Sequence, residues 1–272
     1  MNILDKIIEY KRREVEERKS LYPVKLLEQS IYFATQPVSM ARYIQRDDLT
    51  GIIAEFKRKS PSKGVINAYA SVERTTLGYM QAGASALSVL TDKPSFGGTN
   101  DDLTVARKFN FCPIIRKDFT IDEYQIVEAK SIGADAILLI AAVLEPADVK
   151  RLCAFSHSLG MEVLLEVHDE EELSQNSDAG ADLIGVNNRN LKTFEVSIDI
   201  SKRLSELIPP GVVKVSESGI SDPSTIMELR KFGFRGFLMG ENFMKHSRPD
   251  KAAREFVSAL RKLESVENHV AK

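Results

Sequence analysis

Six charged or amide side chains of this 272-residue chain sit at the ends of short apolar runs, spaced so that they can meet. Ile53, Glu55 and Lys57 alternate along one run, and Ile115 and Lys117 along another. Leu164 and Glu166, Gly185 and Asn187, and Val213, Val215 and Glu217 alternate along three more. Residues two apart on a strand share a face. Each set therefore carries small or apolar members below and a polar group above. Ammonium and carboxylate groups gathered in this way suit general acid–base chemistry. The ammonium protonates an oxygen and stabilises charge developing there, and a carboxylate takes or steers a proton. Burying such charges unpaired is costly, whereas a neighbouring lysine helps to hold a carboxylate ionised. A purely structural ion network is the competing reading of the same residues.

The elements that would position them recur. Seven apolar runs begin just after Gly83, Asn110, Gly133, Gly160, Gly180, Gly211 and Gly233. Their separations of roughly 20 to 31 residues match one strand and one helix per unit. Glycine, and less readily asparagine, accepts the left-handed conformation that often follows the last turn of a helix. With Ile52–Phe56 as the first, the predicted strands are Ala86–Leu90, Pro113–Lys117, Ala136–Ile140, Glu162–Val167, Leu183–Asn187, Val212–Ser216 and Gly236–Gly240. Amphipathic segments such as Ser71–Gln81, Asp122–Ser131 and Asp169–Ser177 lie between them. Near-continuous apolar strands alternating with helices imply an α/β protein with a parallel sheet buried on both faces. Eight such units predict a closed (β/α)8 TIM barrel, a fold whose chemistry sits at the C-terminal ends of the strands. An open doubly wound sheet competes, but no Gly-x-Gly-x-x-Gly turn follows the first strand.

Residues 1–47 read differently. Ile3, Ile7 and Ile8 lie at helical spacing ahead of the charged stretch Lys11 to Lys19, and a second helical segment follows Pro23, near Val24 to Ser30. They are expected to form an N-terminal helical extension packed outside the barrel or over one end, with residues 48–272 as the catalytic barrel. A net charge of −2 gives no footprint for nucleic acid, and no apolar run approaches the ~20 residues of a membrane helix. The first residues have no apolar signal core, so a cytoplasmic location is expected. Cys112 and Cys153 lack metal-ligand spacing and read as buried thiols, and four scattered histidines suggest no metal site.

Two further stretches bear on ligand binding. Val215-Ser216-Glu217-Ser218-Gly219-Ile220 and Leu238-Met239-Gly240-Glu241-Asn242 close the seventh and eighth runs, where many barrels hold a phosphate on backbone N–H groups. Ser218 can donate a hydroxyl hydrogen bond there, Gly219 and Gly240 permit close backbone approach, and Glu241 must turn its carboxylate aside. Lys57-Arg58-Lys59-Ser60-Pro61-Ser62-Lys63-Gly64 reads as a mobile basic loop closing over an anionic substrate. Arg58, Lys59 and Lys63 are taken as solvated charges, and Ser60 as reaching either a substrate phosphate or its own loop. Thr91 to Gly98 is a second candidate lid, in which Phe96 either covers an aromatic ring or packs on the rim.

The stretch Ile53-Ala54-Glu55-Phe56-Lys57-Arg58-Lys59-Ser60-Pro61-Ser62-Lys63-Gly64 closely resembles the first-strand signature of the indole-3-glycerol phosphate synthase family. Supporting motifs follow in order: Ser88-Val89-Leu90-Thr91-Asp92, Ile115-Arg116-Lys117-Asp118-Phe119, Leu165-Glu166-Val167-His168, Gly185-Val186-Asn187-Asn188-Arg189-Asn190-Leu191 and Ser216-Glu217-Ser218-Gly219-Ile220. The resemblance implies conversion of carboxyphenylamino-deoxyribulose phosphate to indole-glycerol phosphate with loss of CO2 and water, without cofactor or metal. By the same resemblance Lys117 is the general acid and Glu166 the general base. Lys57 holds the substrate carboxylate and is a candidate assisting acid, and Glu55, Asn187 and Glu217 are active-site polar residues. Ser60, Ser218, Gly219 and Gly240 belong to the phosphate end, and Arg189 lies near the site. The family often has a serine soon after the eighth-turn glycine, where this chain reads Gly240-Glu241-Asn242. Phe119, Leu138 and Leu238 would wall an aromatic ring or serve as plain core.

Three other readings compete. A Schiff-base aldolase would use Lys57 or Lys117 as nucleophile. A phosphoribosylanthranilate isomerase would need a Cys and Asp pair at strand ends, which is not evident, and is expected to lack the helical arm. A non-catalytic phosphate-ligand sensor would bind without turnover. The expected partner is a small phosphorylated substrate, with no nucleic acid or membrane, and a monomer is favoured.

Overall fold

Eight of the apolar runs form parallel strands that close on themselves in the computed structural model, which describes residues 3–190 and 193–270. In chain order they are β1 (Ile52–Phe56), β2 (Ala86–Leu90), β3 (Ile114–Lys117), β4 (Ala136–Ile140), β5 (Glu162–Val167), β6 (Leu183–Asn187), β7 (Val213–Glu217) and β8 (Gly236–Met239). Each pairs with its sequence neighbours, and β8 closes on β1. Helices connect them, which makes the fold a (β/α)8 TIM barrel. Pro113 falls outside β3, having no N–H for the ladder; its carbonyl still accepts from Leu87 N at 3.0 Å.

Alternation sorts the strand residues into two apolar clusters. Ala54, Phe56, Val163, Leu165, Ile184 and Val186 face outward in a core shared with the helices. Ile53, Ile115, Leu164, Leu183, Val213 and Val215 fill the barrel interior. Helix starts follow from capping side chains: Ser71, Asp122 and Asp169 each accept a backbone N–H of the first turn that would otherwise lack a partner. Six of the seven punctuating residues are glycines with positive φ, between 74° and 103°. Asn110 departs from the expected left-handed form, with φ −134°. Its side chain instead donates to Ala106 O at 2.8 Å and to Thr76 Oγ1 at 3.0 Å.

The arm closes both ends of the barrel rather than one. α1 (Ile3–Leu21) lies over the mouth, α2 (Val24–Leu27) packs on the helix Glu123–Ser131, and α3 (Met40–Ile44) plugs the bottom. Glu162, the first residue of β5, accepts from Ser39 Oγ and from Ala41 N at 2.9 Å. Met40 and Ile44 enter the interior cluster from below, and Ile7 enters it from above. α1 is pinned by a fully buried ammonium: Lys11 Nζ lies 2.9 Å from both the Asp92 and the Asp118 carboxylates.

Candidate active site

Register carries the polar residues around the mouth. Glu55 lies beside Ser88, Glu166 beside Gly185, and Asn187 beside Glu217 on neighbouring strands, while Lys117 lies beside Leu90. One cavity of about 560 Å³ at this end is lined by Glu55, Lys57, Ser60, Lys117, Glu166, Asn187, Arg189, Glu217, Ser218, Gly219 and Gly240. Every site residue expected from the sequence is therefore gathered there. Leu90, Phe96, Phe119, Leu138, Ile140 and Leu238 supply apolar wall, and Leu4 and Ile7 of α1 roof it. The Phe96 and Phe119 rings are 6.1 Å apart, so Phe96 packs on the rim and lines the cavity at once.

Lys117 Nζ sits between two carboxylates, 2.8 Å from Glu166 Oε2 and 2.9 Å from Glu217 Oε2. Asn187 Nδ2 donates to Glu166 Oε1 at 3.1 Å. Lys57 Nζ lies 2.8 Å from Glu55 Oε1, and Ser88 donates to Glu55 Oε2 at 3.3 Å. Burial pulls the Lys117 ammonium down, but the carboxylates of Glu166, Glu217 and Glu55 override it and hold the pKa above its ordinary value. Burial pushes Glu166 up; Lys117 and His168 outweigh it and keep its carboxyl below the usual range. Glu217 moves the other way, because burial and the charges of Glu166 and Glu55 exceed the pull of Lys117. Two carboxyls pushed in opposite directions thus flank a single ammonium, the kind of separation that acid–base sites use.

Two glycines make room for this cup. A Cβ at Gly185 would stand 2.2 Å from Glu217 Oε1, and one at Gly240 would stand 2.6 Å from Glu55 Oε1. Gly240 therefore serves the carboxylate cluster directly, beyond the expected backbone approach to phosphate. Ser218, with φ +66°, donates its hydroxyl to Asn187 Oδ1 at 3.0 Å, and Arg189 N donates to the same oxygen at 3.1 Å. The Ser218 hydroxyl thus orients the amide that holds Glu166. Glu241 leans between Lys63 Nζ at 3.8 Å and Arg189 Nη2 at 3.9 Å. Leu191 of the sixth-strand motif lies outside the described residues.

The basic first loop corrects one expectation. Lys59–Ser60 pairs with Gly64–Val65 as a short antiparallel ribbon. Arg58 is no solvated charge: it grips Asp102 with both terminal nitrogens, at 2.6 and 2.8 Å. Lys59 Nζ donates to Pro94 O at 2.6 Å, which ties the two candidate lids together. Ser60 Oγ accepts from Lys63 N at 3.2 Å, so it supports its own turn while lining the cavity.

His168, Leu4 and Ile7 also line the cavity and Ser88 bonds Glu55, although none of the four is among the expected site residues. His168 and Ser88 carried a signal, since each continues the inward alternation, after Leu164 and Glu166 on β5 and after Ala86 on β2. Leu4 and Ile7 lie on a helix whose docking no local pattern reveals. Cys112 and Cys153 are buried, and burial pushes both thiols up to about 12, away from the thiolate form. Among the described residues no group of three or more His, Cys, Asp and Glu side chains is placed to hold a metal.

A closed parallel barrel with an acid–base cup at the C-terminal ends of its strands defines the class: a TIM-barrel enzyme. The family profile described as "Indole-3-glycerol phosphate synthase" matches residues 4–256. An indole-3-glycerol phosphate synthase from Bacteroides thetaiotaomicron is 48% identical over 259 residues, covering 95% of this chain and 99% of that one. One from Salinibacter ruber is 42% identical over 254 residues, covering 93% and 94%. Among solved structures, a thiamine phosphate pyrophosphorylase from Pyrococcus furiosus aligns with TM-score 0.57 at 15% identity, covering 78% and 95%, and shares the fold alone. The chain belongs to the indole-3-glycerol phosphate synthase family, carboxy-lyases of tryptophan biosynthesis.

Proposed function

We propose that this cup cyclises 1-(2-carboxyphenylamino)-1-deoxyribulose 5-phosphate to indole-3-glycerol phosphate, with Lys117 as general acid and Glu166 as general base. The observation that carries the assignment is the Lys117 ammonium, held between Glu166 and Glu217 at 2.8 and 2.9 Å inside an apolar-walled cavity. Ring closure puts negative charge on the ketone oxygen as the carboxyl-bearing aromatic carbon attacks. Lys117 protonates that oxygen and stabilises the charge as it forms. Loss of CO2 returns the bonding electrons to the ring. The new hydroxyl then leaves as water with a second proton, and Glu166 takes a proton from the carbon beside nitrogen. With an ionised benzoate, two protons enter and one leaves per turnover. Glu217, pushed toward its protonated form, is a reserve beside Lys117. Lys57 holds the substrate carboxylate, Glu55 fixes Lys57, and Asn187 orients Glu166.

Ser60, Arg189, Ser218, Gly219 and Gly240 mark the phosphate end in this reading. Substrate phosphate would compete with Glu241 for Lys63 and Arg189. A Schiff-base route fares worse, because a nucleophilic amine needs a depressed pKa and Lys117 is held raised. We assign residues 1–47 as an extension of one catalytic barrel spanning 48–272, since its side chains enter the barrel's interior cluster. A monomer in the cytoplasm is the assembly and place we favour; no helix among the described residues is long and apolar enough to cross a membrane.

Supplying the anilino ketose phosphate tests the reaction. Appearance of indole fluorescence, with inorganic phosphate inhibiting competitively, is the expected outcome. Absence of turnover defeats the assignment, and indifference to phosphate defeats the proposed phosphate end. A lysine adduct trapped by borohydride would point to the aldolase route.

A further inference from the structure

Behind Glu166, on the side away from Lys117, stands a residue for which the proposed chemistry has so far given no task. His168 continues the inward phase of β5, and its Nε2 lies 3.4 Å from Glu166 Oε1. That nitrogen is fully buried and has no hydrogen-bond partner. The other ring nitrogen, Nδ1, is 3.1 Å from Glu172 Oε2, which also accepts the His168 backbone N–H at 2.7 Å. Glu172 is fixed in turn, because Asp169 caps its backbone N–H at 2.9 Å at the start of helix Glu170–Gln175.

Lys57 and Lys117 are already engaged by Glu55, Glu166 and Glu217 before any anionic substrate enters. An imidazolium at His168, backed by Glu172, sets a further positive charge 3.4 Å from Glu166 Oε1. The groups facing the ring are Glu166 on β5 and Glu172 on the following helix, with Glu217 of β7 and Lys117 of β3 across the cup. Asn187 of β6 is the neutral neighbour on the shared oxygen, Glu166 Oε1.

We propose that His168, held as an imidazolium by Glu172, is a positioning residue that keeps Glu166 ionised and aimed as the base. Burial lowers the imidazole pKa, but Glu172, Glu166 and Glu217 together hold it above the ordinary 6.5. Loss of that cation raises the Glu166 pKa. The acid limb of turnover then moves to higher pH.

The inference rests on Glu166 being the base, so its test has one arm without substrate. Carbon-13 labelling of the four histidines follows the His168 ring by NMR. Its midpoint is expected above 6.5 in the wild type and lower in both Glu172→Gln and Glu166→Gln. A His168 ring already neutral at pH 6.5, or one indifferent to Glu166→Gln, overturns the pairing whatever the enzyme turns over. In the kinetic arm, the acid limb of kcat is expected to rise by about one pH unit in His168→Gln and Glu172→Gln, a tenfold loss on its slope. KM in Glu172→Gln is expected to stay within about twofold, since Glu172 does not line the cavity. An even loss of kcat at all pH values in both variants would reduce His168 to a packing residue and overturn the proposal. A wild type without turnover would instead count against the proposed reaction, and the NMR arm would still decide the pairing.

Discussion

Two buried ion clusters stand back to back on β3, and the chain reaches both with consecutive residues. Arg116 points outward. Its guanidinium meets Glu128 at 2.6 Å and Asp118 at 3.1 Å, with further bonds to Thr91, Gln125 O and Asn100. Lys11 joins Asp92 and Asp118 there, and Arg18 joins Glu128. Three cations face three buried carboxylates, with the partly exposed Glu14 at the edge. Lys117, one residue on, points inward to a cup with two ammoniums, three carboxylates and an orphaned Glu217 Oε1. The outer cluster has no orphaned side-chain atom among the described residues. A saturated network of buried charges fixes geometry, whereas an unsaturated one facing a cavity has bonding capacity left for a ligand. On this contrast we assign the structural-network reading to the outer side of β3 and propose the catalytic one for the inner side.

The contrast breaks first at Lys11. Lys11→Met keeps length and apolar contact but leaves Asp92 and Asp118 short of a counter-charge in the interior. Urea unfolding is expected to show a loss of about 3–5 kcal/mol, while molecules that remain folded keep turnover within about tenfold. Unchanged stability would mean that the outer cluster is not the strut we describe. At the neighbouring position the pattern inverts. Lys117→Ala or Glu166→Gln is expected to lower kcat by at least ~100-fold, about 2.7 kcal/mol of barrel chemistry. The stability cost should be smaller than for Lys11→Met, because Glu166 and Glu217 can take up protons and face the cavity. Near-normal kcat in both variants would remove Lys117 and Glu166 from the acid–base roles.

The inner cluster was legible in the sequence and the outer one was not, for a physical reason. Alternation is a local rule. Once Glu55, Lys117, Glu166, Asn187 and Glu217 were in phase with apolar neighbours, a closed barrel had to bring them together. Lys11 offered no such rule, since on a helix rich in Lys, Arg and Glu it looked like one more solvated charge. Its burial depends on where α1 docks, a fact of tertiary packing. Arg58 misled in the same way, as its partner Asp102 lies 44 residues on. The strand limits were readable to within a residue, whereas the double closure by α1 and α3 emerged only from the assembled core.

A finer probe of the cup is Gly185→Ala. A methyl at this position would lie 2.2 Å from Glu217 Oε1 and 3.3 Å from Leu164 Cδ1, so the carboxylate must swing away. Displacing it by about 1 Å should cost roughly tenfold to hundredfold in kcat, with Lys117 and Glu166 intact in sequence. The same exchange at Gly180, where φ is +84° and a Cβ meets nothing within 4 Å, strains the backbone away from the cup and should leave kcat near the wild-type value. Equal kinetics for Gly185→Ala and the wild type would show that Glu217 does not need its place beside Lys117.

The smallest expected effect is also the most specific, because the two clusters differ in the sign of their pH dependence. Burial raises Asp118, but Lys11 and Arg116 bring its carboxyl down to about 2. A depressed carboxyl stabilises the fold above its ordinary value of 3.8, and that contribution is lost as pH falls through about 2. Glu217 is raised by burial and by neighbouring carboxylates. Its protonated form therefore favours the fold below the ordinary 4.5, and the favour is lost as pH rises through the raised value. Glu217→Gln removes an ionisation that the folded state resists at neutral pH. The variant should be more stable than the wild type by of order 1 kcal/mol at pH 8, with the gap closing as pH falls toward 4.5. Asp118→Asn should be less stable than the wild type at pH 8, with that deficit shrinking only in stronger acid. A Glu217→Gln gap that is constant from pH 5 to 8, or of the opposite sign, would place Glu217 with the saturated cluster and erase the distinction between the two sides of β3.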